Sequence, residues 1–353
     1  MSRVDETHDA HRMLIHVANL TKTFSVFDRR EGVKGALLDL VHRKSRTLAA
    51  VDGISFDVAR GEIVGYIGQN GAGKSTTIKM LTGILVPTSG ALNVDGLVPH
   101  ANRRAFAKRI GVVFGQRTQL WWDIAAIESF RLLGKIYEVD DKTLAERLDR
   151  LDAILELKPL LHTPVRKLSL GQRMRCDIAA SLLHAPPILF LDEPTIGLDV
   201  VAKDSIRAFL KEINKTFSTT ILLTTHDLRD IEELCRRVIV IDRGKILFDG
   251  ALSEMKTRYA GRMHVGIDVA EEIPLDSVRA AVGGNGVEWE QIGPRRFRAS
   301  FERAAKSPAE LIRAVMGKFA IADVSIEEAS IEEVVRRMYG STNEAARSPA
   351  GHQ

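Results

Sequence analysis

Apolar residues recur along this chain in two rhythms. Near the start, MLIHVANLTKTF (13–24) reads as a first strand and turn, and ISFDV (54–58) alternates apolar and polar positions. Alternation is the pattern of a strand with one face buried. Further on, ILFL (188–191), ILLT (221–224) and VIVI (238–241) are unbroken apolar runs, as expected of strands covered on both faces. Helical segments of mixed polarity separate them, which predicts a mostly parallel sheet with right-handed crossovers. EIVGYIG (62–68) predicts a strand that enters a glycine-rich turn and then a helix over 74–82. Thr88, Ser89 and Gly90 mark a turn before a strand in ALNVDG. Residues 114–182 carry helical patterns and few strand signals, so a helical subdomain inserted between sheet strands is expected.

From His264 the order changes. HVGIDV, DSVRAAV, VEWEQI, RRFRASF, SPAELIRAVMGKF and IADVSIEE read as strand, helix, strand, strand, helix, strand, with a closing helix over 330–339. That succession is the order of a small ferredoxin-like unit. The expected layout is a polar leader (1–12), a main α/β domain (13–256), a small α+β domain (257–340) and a disordered tail (341–353).

Composition narrows the function classes. A chain of 353 residues is longer than one core needs. Cys176 and Cys235 lie far apart without metal-ligand spacing, so neither a disulfide framework nor a zinc site is expected. No run reaches the roughly 20 apolar residues of a membrane span, and the polar, partly acidic start does not read as a signal peptide. Net charge is +4, and residues 29–46 hold six basic residues against two acids. The remainder is balanced, which argues against a nucleic-acid partner.

Candidate chemistry starts at Gly68-Gln69-Asn70-Gly71-Ala72-Gly73-Lys74-Ser75, which fits the phosphate-binding pattern GxxxxGK[ST] between a strand and a helix, with Thr76 next. Glycines let backbone N–H groups turn toward phosphates, and the helix N-terminus adds its positive end. Lys74 then reaches the β/γ-phosphates and Ser75 offers a hydroxyl to Mg²⁺. In ILFLDE a buried strand delivers Asp192 and Glu193 to the sheet edge where α/β sheets bind ligands. Asp192 suits Mg²⁺ through water, and Glu193 suits accepting a proton from the attacking water.

Leu168-Ser169-Leu170-Gly171-Gln172, just upstream of the carboxylate strand, resembles the signature motif of the ATP-binding-cassette (ABC) family. The glycine usual at its third position is Leu170 here, while Ser169 and Gly171 are kept. The resemblance implies a motif that caps the ATP held by an opposite subunit. Gly197-Leu198-Asp199 resembles the loop that crosses that dimer interface, and His226 resembles the histidine that contacts the γ-phosphate. Gln116 resembles the glutamine that senses Mg²⁺ and water, with Gln119 as the alternative. Phe24 occupies the place of the aromatic that stacks on adenine, with Phe27 or a core role as alternatives. The resemblance spans residues 13–256. It implies an ATPase using ATP and Mg²⁺, dimerised with a second cassette and joined to a transmembrane permease on another chain at the inner face of the membrane.

The stretch between Phe24 and Ala49 is longer than a typical cassette has. Over 28–46 it sets Val33, Ala36, Leu37, Leu40 and Val41 on one helical stripe beside Lys34, Arg43 and Lys44. Such a helix packs on its own domain or lies near the permease or anionic lipid. With GQRTQLWWD, RKLSLGQRMR and LDEPTIGLDV, the chain resembles cassettes of the type-2 exporter branch, of the viologen-exporter and drug-efflux kind. Polysaccharide and teichoic-acid exporters are the near alternative, and a cytosolic cassette protein of translation or DNA maintenance is the remote one. Trp121 and Trp122 fall where such a subdomain meets its membrane partner, or within the subdomain core.

Overall fold

The computed structural model describes residues 13–27, 45–115, 117–259, 262–282, 286–302, 307–327 and 330–347. The chain forms two compact units, divided between Gly250 and Ala251.

In the first unit, β1 (Met13–Phe27) is flanked by β2 (Ser45–Ala59) and β4 (Ser89–Val94) in an antiparallel sheet. β1 and β2 stay paired from Met13 opposite Ala59 to Phe27 opposite Ser45. Both strands are longer than the alternation suggests, because the outer half of the hairpin buries little and so carries no clear period. Residues 45 and 46, allotted to the basic insert, therefore belong to β2. The rest of that stripe, with Val33, Ala36, Leu37, Leu40 and Val41, lies outside the described residues.

The second sheet has the order β5-β6-β7-β3-β8-β9. Its members are β3 (Ile63–Gly68), β5 (Ile110–Phe114), β6 (Ile188–Asp192), β7 (Thr220–Thr224), β8 (Arg237–Asp242) and β9 (Lys245–Ala251). Strands β5, β6, β7, β3 and β8 pair in parallel, and their central residues are buried, as unbroken apolar runs require. Between the two sheets lies one core that includes Phe56, Val58, Leu92, Val94, Tyr66, Phe190, Leu222 and Ile239. Removing a ring such as Phe190 from it would cost about 3–5 kcal/mol.

Helix α1 (Lys74–Leu81) follows β3, and α2 (Arg103–Ala107) precedes β5. Between β5 and β6 the chain departs into α3 (Ala126–Ile136), α4 (Asp141–Leu155) and α5 (Leu170–Leu182). Two of these starts have a side-chain cap: Asp140 accepts from Thr143 N at 2.9 Å ahead of α4, and Ser169 caps α5. α6 (Val200–Phe217) and α7 (Leu228–Leu234) return the chain from β6 to β7 and from β7 to β8.

The second unit contains α8 (Leu252–Tyr259), β10 (Arg262–Val269), α9 (Leu275–Val282), β11 (Val287–Gly293), β12 (Arg296–Glu302), α10 (Pro308–Met316), β13 (Ile321–Glu327) and α11 (Ile331–Arg347). Its antiparallel sheet has the order β11-β12-β10-β13, which is the ferredoxin-like arrangement. Phe297, Ala299 and Phe301 alternate inward along β12 onto Leu311 and Val315 of α10. The unit starts earlier than position 257, because α8 packs against α11 and buries Met255. The tail expectation is also corrected: α11 continues to Arg347, through the helix-favouring Glu344, Ala345 and Ala346.

Candidate nucleotide site

The register of the parallel sheet assembles the site. Phe114 pairs with Asp192, Asp192 with Thr224, and Thr224 with Tyr66, so these residues form one row across β5, β6, β7 and β3. Neighbouring strands lie about 4.8 Å apart. Residues leaving the row at its C-terminal edge therefore converge: Gly115, Glu193, His226 and the loop after Gly68.

That loop is shaped by close backbone approach. Gly73 has φ 108°, and a Cβ there would come within 2.5 Å of the Ala50 carbonyl oxygen. The loop also rests on the β8–β9 turn, where Gly244 N donates to Ala72 O at 2.9 Å and Gly244 O accepts from Asp52 N at 2.8 Å. Helix α1 has no side-chain cap and no acid in its first turn. Its leading N–H groups and positive end are left for an anion. Gln69, Asn70, Gly71 and Ser75 are exposed around it, and Thr76 is half-buried.

Lys74 is buried and folds back, donating from Nζ to Gly68 O at 2.6 Å and Gln69 O at 3.1 Å. Burial lowers its pKa, and the carboxylates of Glu193 and Asp192 oppose that shift. A cation held by two carbonyls beside two carboxylates fits a site built for polyphosphate. Its partners are weak enough to be exchanged for phosphate oxygens.

Asp192 accepts the Thr224 hydroxyl at 2.5 Å, which fixes one carboxylate oxygen. Glu193 leaves the strand with φ 56°, its N–H donating to Thr224 O at 2.9 Å. A left-handed conformation at a residue other than glycine is uncommon and costs about 1–2 kcal/mol. Here it turns the chain at the strand end. His226 Nδ1 stands 3.5 Å from Glu193 Oε2. Ser75, Lys79, Ile84, Phe114, Gly115, Arg117, Asp192 and Glu193 line one cavity of about 440 Å³. The Ser75 hydroxyl and Asp192 carboxylate in one cavity form an all-oxygen donor pair of the sort Mg²⁺ takes.

The signature segment lies elsewhere. Ser169 Oγ accepts from Gln172 N at 3.2 Å while Gln172 Oε1 accepts from Ser169 N at 2.9 Å, so the two form a capping box. Ser169, Gly171, Gln172 and Asp199 line a second cavity of about 530 Å³, with no residue in common with the first. Asp199 caps α6 through Ala202 N at 2.8 Å. A Cβ on Gly197 would lie 3.2 Å from Leu170 Cδ2, so the residue that departs from the usual motif packs against the following loop.

Phe24 is 39% exposed on β1 opposite Leu48, two residues from the Ala50 that presses on Gly73. The Phe27 side chain and Gln116 lie outside the described residues. Gln119 is engaged with α5: its N–H donates to Asp177 Oδ1 at 3.1 Å and its Nε2 to Asp177 O at 2.9 Å. Trp121 and Trp122 are 42% and 49% exposed, and the Arg173 guanidinium lies 5.2 Å from the centre of the Trp122 ring. Sequence reasoning missed Arg117, Lys79, Thr224 and Gly244. The Asp242-Arg-Gly-Lys turn after an apolar strand is a signal that could have flagged Gly244.

A glycine loop opening an uncapped helix, with a strand-end Asp–Glu pair in the same cavity, defines a P-loop nucleoside triphosphatase. The chain belongs to the ABC transporter family, whose family model matches residues 51–196. It is 32% identical to the ABC transporter ATP-binding protein NatA of Bacillus subtilis, over 60% of this chain and 86% of that protein. It is 33% identical to the Nod factor export ATP-binding protein I of Cupriavidus metallidurans, over 82% of this chain and 92% of that protein. A solved dimer of the cassette MJ0796, in a post-hydrolysis state with ADP and Pi, aligns with a TM-score of 0.55 at 25% identity, over 67% of this chain and 98% of that one. The chain is thus an ATP-binding cassette, an ATPase whose hydrolysis is coupled to transport. No helix among the described residues is long and apolar enough to cross a membrane.

Proposed function

We propose that two copies of this chain close over two ATP molecules and drive an exporter whose membrane helices belong to a separate permease. The observation that carries this reading is the separation of the two phosphate-facing elements. Gly68–Ser75 leads into α1 and Ser169–Gly171 into α5, yet Ser75 lines one cavity of the copy while Ser169 and Gly171 line another. One molecule holds two half-sites, and a second molecule is needed to complete each.

Within the completed site the roles follow from position. Backbone N–H groups of 71–76 and Lys74 hold the phosphates. Phe24 offers a ring to adenine. Mg²⁺, when bound, would neutralise charge on the phosphates and order the attacking water. Ser75 and Asp192 would hold that ion, and Gln116 is the further ligand that the motif resemblance offers. Glu193 takes the proton of the attacking water, and His226, close to the carboxylate, faces the γ-phosphate. Ser169 and Gly171 of the second copy cap the same nucleotide from across the interface, and Gln172 and Asp199 hold the helix starts that present them. ATP makes these contacts only in the closed pair, so binding shifts the population toward it and hydrolysis releases it.

The export reading draws on relatives named for Nod factor export, linearmycin resistance and daunorubicin resistance. A drug-like cargo suits that company, with a polysaccharide-type cargo as the second candidate. The cassette then sits peripherally on the inner membrane face, where the exposed Trp121–Trp122 pair suits a groove in the permease.

Glu193→Gln is the test. The variant should retain ATP, run as a dimer in size-exclusion chromatography with ATP, and release phosphate about 10²–10⁴ times more slowly than the parent. Hydrolysis at the parent rate would remove Glu193 from the role of base.

A further inference from the structure

The segment leaving β5 is held at both ends by different parts of the cassette. On the upstream side, Gly115 N donates to Asp192 O at 2.8 Å, and a Cβ on Gly115 would fall 1.9 Å from the Glu193 carbonyl oxygen. This backbone is therefore pressed onto the carboxylate strand. Arg117 N then donates to Phe114 O at 2.9 Å, closing a tight turn, and Arg117 lines the phosphate cavity.

On the downstream side the anchor is a single carboxylate of α5. Asp177 Oδ1 accepts the Thr118 hydroxyl at 2.8 Å and Gln119 N at 3.1 Å, while Asp177 O accepts Gln119 Nε2 at 2.9 Å. Thr118 Oγ1 also accepts from Leu120 N at 3.1 Å, and Trp121 N donates to the buried Ser129 hydroxyl of α3 at 3.2 Å. Arg117, on the phosphate cavity, is thus followed directly by Thr118 and Gln119, the residues that Asp177 holds on α5.

Asp177 is an uneconomical choice for mere packing. It is 4% exposed, its direct partners in this clasp are neutral, and burial lifts its carboxyl pKa to about 6 against the lowering effect of Thr118, Gln119 and the nearby Arg173 charge. A carboxylate at such a site gains its place by geometry, since one oxygen can accept two donors from an irregular segment at once. Asp177 also stands eight residues after Ser169 on the helix that Ser169 caps, about 12 Å along a rigid rod.

We propose that Asp177 is a positioning residue that ties the segment at a copy's own phosphate cavity to the helix presenting Ser169 to the other copy's ATP. The clasp makes the two composite sites of a dimer respond together. It rests on the dimeric reading above and adds an internal linkage to it.

The experiment uses the full chain with Mg·ATP as the probe. Phosphate release is measured against ATP concentration, and nucleotide affinity is measured separately with a fluorescent ATP analogue. Asp177→Ala removes the acceptor, Asp177→Asn keeps Oδ1, and Thr118→Val removes one donor while disturbing the fold least. Unfolding curves confirm which variants are folded. Losing such buried hydrogen bonds is worth about a tenfold change. Asp177→Ala and Thr118→Val should lower kcat about tenfold, bring the Hill coefficient to one and leave analogue affinity unchanged, and Asp177→Asn should behave as the parent. Parent-like kcat and cooperativity in folded Asp177→Ala, or in Thr118→Val if Asp177→Ala does not fold, would overturn the proposal. So would a loss seen only in analogue affinity, or a folded Asp177→Asn as impaired as the alanine variant. A parent chain that hydrolyses ATP without cooperativity and is indifferent to Ser169→Arg would instead refute the dimeric reading beneath it.

Discussion

His184 lies flat on Tyr137, with ring centres 4.0 Å apart, and its Nε2 meets Ile110 O at 2.9 Å while Nδ1 is buried without a partner. That arrangement holds a neutral ring, and burial drives its pKa down to about 4 from 6.5. A lowered basic pKa means that the unfolded chain takes up a proton below pH 6.5 while the folded chain does so only near 4. Stability from this group is intact above pH 6.5 and is lost as pH falls toward 4, by about 3 kcal/mol at most. His184→Gln, which keeps a donor for Ile110, should flatten the dependence of Tm on pH across that window. An unchanged slope in thermal melts would contradict this. Single residues also show where sequence ran out. Gln119 was an open alternative for the sensing glutamine, and only its capture by Asp177 shows that it is engaged elsewhere.

Between α6 and α7 a buried charge cluster ties together the loops on either side of the candidate base. Asp230, fully buried, accepts from Thr195 Oγ1 at 2.5 Å, Thr225 Oγ1 at 3.0 Å and Arg207 Nη1 at 2.7 Å. Thr195 stands two residues after Glu193 and Thr225 immediately precedes His226. Arg207 is itself 2% exposed and also reaches Asp204 and Glu233. Removing one partner leaves an uncompensated buried charge, so Arg207→Met should cost about 3–5 kcal/mol in urea unfolding. Adding Asp230→Leu should recover much of that stability, because the stranded carboxylate is gone. It should not recover the rate, since Thr195 and Thr225 lose their acceptor. Recovery of both would show that the cluster only stabilises. In sequence these were ordinary helix charges at solvent-like spacing. Their burial depends on how α6 and α7 pack, which periodicity does not encode.

At the scale of the whole molecule, the proposal of two half-sites on one chain is tested by a mixing experiment. A Lys74→Ala copy keeps its signature and a Ser169→Arg copy keeps its phosphate loop. Each alone should be inactive, with kcat down about a hundredfold or more. Mixed, they should regain part of the parent rate, because the mixed pair contains one intact composite site. Phosphate release from the mixture that equals the average of the separate variants would exclude a shared site. The unit after Gly250 has its own core around Val265, Ile267, Phe297 and Leu311.

By itself the sequence determined the order of most elements and the residue types of the loops. Unbroken and alternating apolar runs state which strands are covered on two faces or one, and GxxxxGK[ST] and ILFLDE carry their purpose in local backbone geometry and in residues a few positions apart. The strand–helix order of the C-terminal unit was legible for the same reason. Only the tertiary structure decided the row that aligns Phe114, Asp192, Thr224 and Tyr66, the support of Gly244 under Ala72, and the anchoring of Thr118 and Gln119 on Asp177. Those contacts join residues tens to more than a hundred positions apart. A single sequence records what each segment prefers, but not which distant segment it will meet.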